Sequence, residues 1–321
     1  MATHRALIFP GQGSQTIGMG RELAEAYPAA REVFDAVDDA LETKLSELMW
    51  HGEQATLTLT ANAQPALMAH SIAALRAITA ETGQGVAELA DCVAGHSLGE
   101  YSALVAAGTL ELGDAAKLLR LRGEAMQTAV PEGQGAMVAV LGVTPEQGEA
   151  LAAAAASATG QVCDPANDNA PGQMVLSGSA AAIQKAIEIA KDHGAKRAIP
   201  LVVSAPFHCA LMAPAQEAMA DALAATSFSA PAVPVVCNVT ATATSDPDAL
   251  RSNLITQVTG RVRWRESVAV MRTAPHAIEQ FAEVGAGKVL SGLVRQVDRA
   301  ATVMSIGTPD QVAQFAAERV G

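Results

Sequence analysis

Ala6-Leu7-Ile8-Phe9 is an unbroken apolar run halted by Pro10, the pattern of a buried strand. Gly11-Gln12-Gly13-Ser14-Gln15 follows as a glycine-rich loop. Apolar residues at helical spacing predict helices over residues 20–40 and 64–80. A second short apolar run, Asp91-Cys92-Val93-Ala94, leads into Gly95-His96-Ser97-Leu98-Gly99. Residues 100–108 then read as a helix closed by a glycine. A further helix is expected near 113–129, ending before Pro131.

Residues 133–200 have a different texture. Ala136–Leu141 reads as a strand, and a helix opens near Pro145 and runs through a stretch of alanines. Gln161-Val162-Cys163 and Met174-Val175-Leu176-Ser177 read as two strands around a loop rich in Pro, Asn and Gly. A helix near 180–192 and a last strand, Ala198–Val202, complete a βαββαβ order, which is ferredoxin-like. Beyond residue 205 helices are expected near 212–225, 247–258 and 264–273, with strands at Val233–Cys237, Ala277–Phe281 and Ala301–Ser305. Gly285-Ala286-Gly287 opens another helix. The alternation predicts an α/β protein. A large domain, residues 1–132 and 201–321, carries a mainly parallel sheet covered on both faces, and residues 133–200 form an inserted small subdomain.

Composition narrows the class. Half of the 321 residues are hydrophobic but only 3% are aromatic, so the core is built from Ala, Val, Leu and Ile. A net charge of −12 argues against nucleic acid or an anionic membrane as the main partner. The four cysteines are scattered without C-x-x-C spacing, which predicts a reduced compartment and neither a disulfide framework nor a zinc site. No leader-like segment precedes the first strand and no apolar run is long enough to span a bilayer. A soluble cytoplasmic protein is expected, with no bound metal and no resident cofactor.

The chemistry centres on G-x-S-x-G, which between a strand and a helix is a nucleophile elbow. The glycines make room for a strained turn that presents Ser97 Oγ, and the Leu98 N–H at the helix start is placed to donate to an oxyanion. A serine hydroxyl needs a base within hydrogen-bond reach. Of the seven histidines, His4, His51, His193 and His276 sit in loop-like or terminal positions. His70 lies inside an amphipathic helix, and His96 adjoins the serine and is ill-placed to turn back onto it. His208, after a strand and the bend at Pro206, is the best-placed base. The Gln12 loop lacks the third glycine of a dinucleotide fingerprint, Thr16 standing there, and is open to the role of second oxyanion donor. Arg122, on a helix with Leu118, Leu119, Leu121 and Met126, is either a snorkelling surface residue or a buried anion clamp.

Phe9-Pro10-Gly11-Gln12-Gly13-Ser14-Gln15, Gly95–Tyr101, Arg122-Gly123, Gly135-Ala136-Met137, Phe207-His208 and Asn238-Val239 together resemble malonyl-CoA:acyl-carrier-protein transacylases, and equally the acyltransferase domains of polyketide synthases. The resemblance spans nearly the whole chain. It implies an α/β-hydrolase-like large domain with a ferredoxin-like insertion, and a ping-pong transfer of malonyl from CoA to the pantetheine thiol of acyl carrier protein. It implies Ser97 as nucleophile, His208 as base, and Gln257 as the residue whose main-chain carbonyl supports the histidine. Gln12 and Leu98 would supply oxyanion N–H groups, and Arg122 would hold the malonyl carboxylate. His96, Met126, Phe207 and Asn238 are expected around the bound acyl group. Arg261 departs from the family pattern, standing where a proline is common, and the resemblance links an aromatic at Phe207, where several members carry Ser, to malonyl rather than methylmalonyl preference.

Two other readings stay open on the residues alone. A serine thioesterase or esterase would set an acid behind the histidine, and Asp246 and Glu283 are available. A non-catalytic acyl-binding subunit of a synthase is the third. Docking an acidic carrier protein requires a local basic patch on this acidic chain, either Arg261, Arg263 and Arg265 or Lys288 and Arg295.

Overall fold

The computed structural model describes residues 3–320. The described residues form ten strands: β1 Arg5–Phe9, β2 Cys92–Gly95, β3 Gly135–Leu141, β4 Cys163–Ala170, β5 Gln173–Ser179, β6 Arg197–Pro200, β7 Val235–Val236, β8 Ala243–Thr244, β9 Gln280–Val284 and β10 Thr302–Ile306. They form two sheets. One has the order β10-β9-β1-β2-β7-β8 and is parallel except for the β7–β8 pair. The other has the order β4-β5-β3-β6 and is antiparallel throughout.

The central strand β1 shows why the larger sheet is covered twice. Leu7 and Phe9 point into one hydrophobic core and Ala6 and Ile8 into another, as period-two alternation requires. The first core is filled by helices including Thr60–Thr82 and Leu112–Thr128, the second by helices Trp264–Arg272 and Val289–Val297. Strands β1 and β2 end level, Phe9 opposite Gly95. The loop after β1 and the turn after β2 therefore emerge side by side at the carboxyl edge, where open parallel sheets place their sites.

Several expectations shift. The helix expected over 20–40 breaks at Tyr27, because Pro28 starts a new helix, Pro28–Leu41. The supposed Pro/Asn/Gly loop after Cys163 is β4, an edge strand whose register slips twice. Its turn-forming residues are tolerated because β5 on one side and the Val262 segment beyond it supply its partners. β6 ends at Pro200, and the chain from Leu201 to Val203 leaves the sheet beside the site. β9 begins at Gln280 and extends to Val284. The charged Glu283 ends the apolar run in the sequence, yet in the fold its carboxylate accepts the Leu290 and Ser291 N–H groups of the following helix. The short helices Leu45–His51, Gln54–Thr58 and Val86–Leu89 and strand β8 had no clear signal.

Candidate active site

The elbow needs both of its glycines for steric reasons. A Cβ on Gly95 would stand 1.9 Å from the Gly99 carbonyl carbon, and one on Gly99 would stand 2.3 Å from the Phe9 carbonyl oxygen. The turn is wedged against itself and against the end of β1. Between the glycines Ser97 has φ +52°, a left-handed conformation costly for a side-chain-bearing residue. Asn238 holds it there: its Oδ1 accepts the Ser97 N–H at 2.7 Å and its Nδ2 donates to the Gly95 carbonyl at 2.6 Å.

Ser97 Oγ lies 2.8 Å from His208 Nε2. His208 is buried and also left-handed, at φ +59°. Its Nδ1 donates to the Gln257 main-chain carbonyl at 2.9 Å. That bond assigns the proton to Nδ1 and leaves Nε2 free to accept from serine. Burial, reinforced by the nearby Arg122 charge, pushes the imidazole down to about 3, so it is a neutral acceptor at physiological pH.

Arg122 is buried, 1% exposed, which decides between the two readings of its helix position. Gly123 brings it there. A Cβ at Gly123 would sit 2.5 Å from Ala61 Cα, so helix Leu112–Thr128 rests directly on the start of helix Thr60–Thr82. Arg122 Nη1 donates to Gln64 Oε1 at 2.7 Å, and Nη2 donates to Gln257 Oε1 at 2.9 Å and to Ser97 Oγ at 3.2 Å. Its Nε has no acceptor. No carboxylate among the described residues bonds this buried cation; its partners are two neutral amides and Ser97 Oγ itself.

Glu100 is the one acid close by, and it lies beneath the elbow, fully buried. Its Oε2 accepts the Asn238 N–H at 3.0 Å and donation from Gln257 Nε2 at 2.8 Å, while Oε1 has no nitrogen or oxygen donor among the described residues. Burial outweighs those bonds and pushes the carboxyl up to about 7. Gln257 Nε2 also donates to the Ser97 carbonyl at 3.1 Å.

A cavity of about 210 Å³ opens over these groups, lined by Gln12, His96, Ser97, Arg122, Met126 and His208, with Phe207 and Leu201–Val203 at its walls. His96 donates to or accepts from Asn169 of β4 at 2.8 Å and does not reach Ser97. Asn238 and Gln257 stand behind the elbow rather than in the cavity wall. The Gln12 and Leu98 N–H groups find no acceptor among the described residues.

The structure thus brings together Ser97, His208, Gln257, Gln12, Leu98, Arg122, His96, Met126, Phe207 and Asn238. It leaves other candidates elsewhere. Asp246 caps helix Pro247–Gln257 and Glu283 caps Val289–Val297, so neither is the partner of His208. Sequence reasoning missed Gln64, Glu100 and Asn169. Gln64 was detectable as a polar residue within an apolar helix; Glu100 reads as an ordinary acid of a first helical turn. The first basic cluster is neutralised internally, Arg261 by Glu149, Arg263 by Glu266 and Arg265 by Asp168. Lys288 and Arg295 have no ion-pair partner among the described residues and line one surface hollow.

A histidine-supported serine facing a buried guanidinium is the equipment of acyl transfer, and the family of acyl transferase domains matches residues 6–316: the chain belongs to that family. Within it, the chain is 47% identical over 309 residues to the malonyl CoA-acyl carrier protein transacylase of Bacillus subtilis, covering 96% of this chain and 94% of that protein. An acyl-carrier-protein-S-malonyltransferase from Bartonella henselae superposes with a TM-score of 0.94 at 48% identity, covering 99% of each chain. A malonyl-transacylase solved in complex with a type II PKS acyl-carrier protein superposes at 0.92 with 38% identity, covering 98% of this chain and 100% of that one.

Proposed function

We infer that this chain transfers a malonyl group from malonyl-CoA to the phosphopantetheine thiol of acyl carrier protein, for fatty-acid or polyketide synthesis. The observation that carries the reading is Arg122: a buried cation with no carboxylate of its own, its Nη2 3.2 Å from the nucleophilic oxygen. Burying an uncompensated charge is costly unless a ligand completes it. A malonyl carboxylate does so bidentately, and places the thioester carbon against Ser97.

In this reading His208 Nε2 takes the hydroxyl proton as Ser97 Oγ attacks the thioester carbonyl. The negative oxygen turns to the N–H groups of Leu98 and Gln12, and CoA leaves as its thiol with the proton returned by His208. The pantetheine thiol of the carrier then attacks the malonyl-serine by the reverse sequence. The Gln257 carbonyl fills the place that an Asp takes in many hydrolases: it fixes the tautomer without adding a charge. His96, Met126 and Phe207 flank the acyl group, and Asn238 supports the elbow. No metal or resident cofactor takes part; the CoA thioester is substrate. The absence of a carboxylate behind His208 and the presence of Arg122 favour transfer over a serine thioesterase.

The larger architecture fits the same reading. We propose an α/β-hydrolase-like domain formed by residues 1–132 and 201–321, with residues 133–200 as a ferredoxin-like insertion. The order β6-β3-β5-β4, every pair antiparallel, is that of a split βαβ unit. Lys288 and Arg295 are the proposed docking patch for the acidic carrier. No helix among the described residues is long and apolar enough to cross a membrane, and we propose a cytoplasmic site of action.

Incubation with radiolabelled malonyl-CoA tests the reading. Wild type should carry one acid-stable label and pass it to holo acyl carrier protein; Ser97→Ala should carry none. Arg122→Ala should lose malonyl transfer relative to acetyl transfer by about a hundredfold, roughly 3 kcal/mol, the scale of a buried charge pair. Equal losses for both acyl groups would remove Arg122 from the clamp role. Fast release of free CoA without an acceptor would favour the hydrolase.

A further inference from the structure

The mechanism above gives no task to the buried carboxyl directly beneath the elbow. Glu100 lies in the first turn of the elbow helix, 0% exposed, three residues after the nucleophile. An unsatisfied buried carboxylate oxygen is expensive and demands a reason. Oε2 accepts from Asn238 N and Gln257 Nε2; Oε1 has no nitrogen or oxygen donor among the described residues, and the Cys237 thiol also reaches the carboxyl.

Its contacts reach Ser97, Arg122 and His208 at one remove. Through Asn238 it supports the bond to the Ser97 N–H, and through Gln257 the bond to the Ser97 carbonyl. It also sets the sense of the Gln257 amide. With Nε2 turned to the carboxylate, Oε1 faces Arg122, and a flipped amide would set its NH₂ against the guanidinium. The main-chain carbonyl of the same Gln257 holds His208. Glu100 and Arg122 are therefore a carboxyl and a guanidinium cation separated by a single amide side chain.

That separation matters when the ligand is itself an anion. A carboxylate arriving on Arg122 introduces a second negative charge into a low-dielectric site and withdraws part of the cation's field from Glu100. Two like charges there do not coexist cheaply, so the more weakly held one takes a proton. The other ionisable groups around Glu100 are the Tyr101 phenol, which burial raises to about 12, and the Cys237 thiol, which burial and the Glu100 charge hold well above its ordinary value, and neither titrates near neutrality. Glu100, already raised to about 7, is poised to titrate there.

We propose that Glu100 is a positioning residue that takes up a proton on Oε1 from solvent when a malonyl carboxylate docks on Arg122, keeping the Asn238 and Gln257 supports of Ser97 intact while neutralising the added charge. Acetyl groups bring no charge and trigger no uptake. The coupling makes the elbow sensitive to whether the clamp is filled, and it rests on the malonyl-transfer reading.

Titration calorimetry of the Ser97→Ala protein, which binds donor without chemistry, counts these protons directly when run in buffers of different ionisation enthalpy. Malonyl-CoA at pH 7.5 should bind with uptake on the order of half a proton, and acetyl-CoA with none beyond that of CoA. Adding Glu100→Gln should abolish the difference between the two donors. If that variant does not fold, Arg122→Met in the Ser97→Ala background serves instead and should abolish it too. Uptake that is absent, equal for both donors, or retained with Glu100→Gln overturns the proposal. Malonyl-CoA that binds and acylates without differential uptake leaves malonyl transfer standing. Failure of wild type to be acylated at all fails the transfer reading and this inference with it.

Discussion

At the scale of single residues the site is an assembly of groups held where isolated chemistry would not leave them. Ser97 and His208 occupy left-handed backbone, and His208 is a histidine that burial and Arg122 keep neutral. The unfolded chain binds a proton at an ordinary histidine below about pH 6.5, whereas the folded chain does not until near 3. His208 therefore subtracts stability as pH falls through that window: the unfolded state gains protons and the folded state does not. By linkage the loss from this residue is about 2 kcal/mol between pH 7 and pH 5. Comparing wild type with His208→Gln by urea unfolding at both pH values isolates it. The stability difference should move in favour of the variant by that amount on acidification, and a pH-independent difference would mean that His208 titrates normally. The position of His208 after a bend was legible in the residues themselves; the Gln257 main-chain carbonyl that fixes its tautomer came only through the family resemblance, because no pattern of side chains encodes a carbonyl. Arg122 was ambiguous for a related reason. An arginine among leucines is compatible with a solvated or a buried head, and only the packing of two helices resolves which.

At the scale of elements that packing is governed by glycine. Helix Leu112–Thr128 contains two, Gly113 and Gly123, which the same substitution separates. A methyl group at Gly113 would meet only Ala40 Cβ at 3.5 Å, an ordinary contact. Gly113→Ala should stabilise the protein by about 0.5–1 kcal/mol by restricting the unfolded chain. At Gly123 the methyl meets backbone of Ala61 at 2.5 Å and of Thr60 at 2.7 Å, and neither yields locally. Gly123→Ala should cost about 2–3 kcal/mol. It should also displace Arg122 from Gln64 and Gln257, lowering malonyl transfer more than acetyl transfer. Thermal unfolding of the pair, read with the two donors, checks both the opposite signs and the loss of selectivity. Elements built on local signals were readable along the chain: strand, elbow, helix, and the helices closed by glycine or begun by proline. β4 was not. Its sequence, Cys163–Ala170 with Asp, Pro and Asn throughout, carries every local mark of a loop, and it is a strand only because β5 on one side and Val262 beyond it supply partners.

At the scale of the whole molecule β4 explains how two sheets make one cleft. Asp168 is buried and accepts three bonds from the Arg265 guanidinium, at 3.0, 3.0 and 2.7 Å. The neighbouring Asn169 holds His96, next to Ser97, and Asn167 bridges to Val262. The antiparallel sheet is thus pinned to the elbow itself, and its departing chain at Leu201–Val203 forms a wall of the cavity. An acyl-serine survives for transfer only while water is kept from it, so the pinning has a kinetic consequence. Arg265→Ala strands the Asp168 carboxylate without its cation and should cost about 2 kcal/mol, less than a wholly buried pair because Arg265 is partly exposed. Asp168→Asn combined with it removes the stranded charge and should restore part of that stability, but not the link between the sheets. Both variants should therefore lose malonate from the isolated malonyl-enzyme faster than wild type when no carrier is present, by several-fold, while the first acylation step stays comparatively intact. Following radiolabelled malonate released from the purified acyl-enzyme measures this. Release that tracks stability alone, recovering in the double variant, would assign the Arg265–Asp168 pair to folding; release that stays fast in both ties the dryness of the cleft to the attachment of β4.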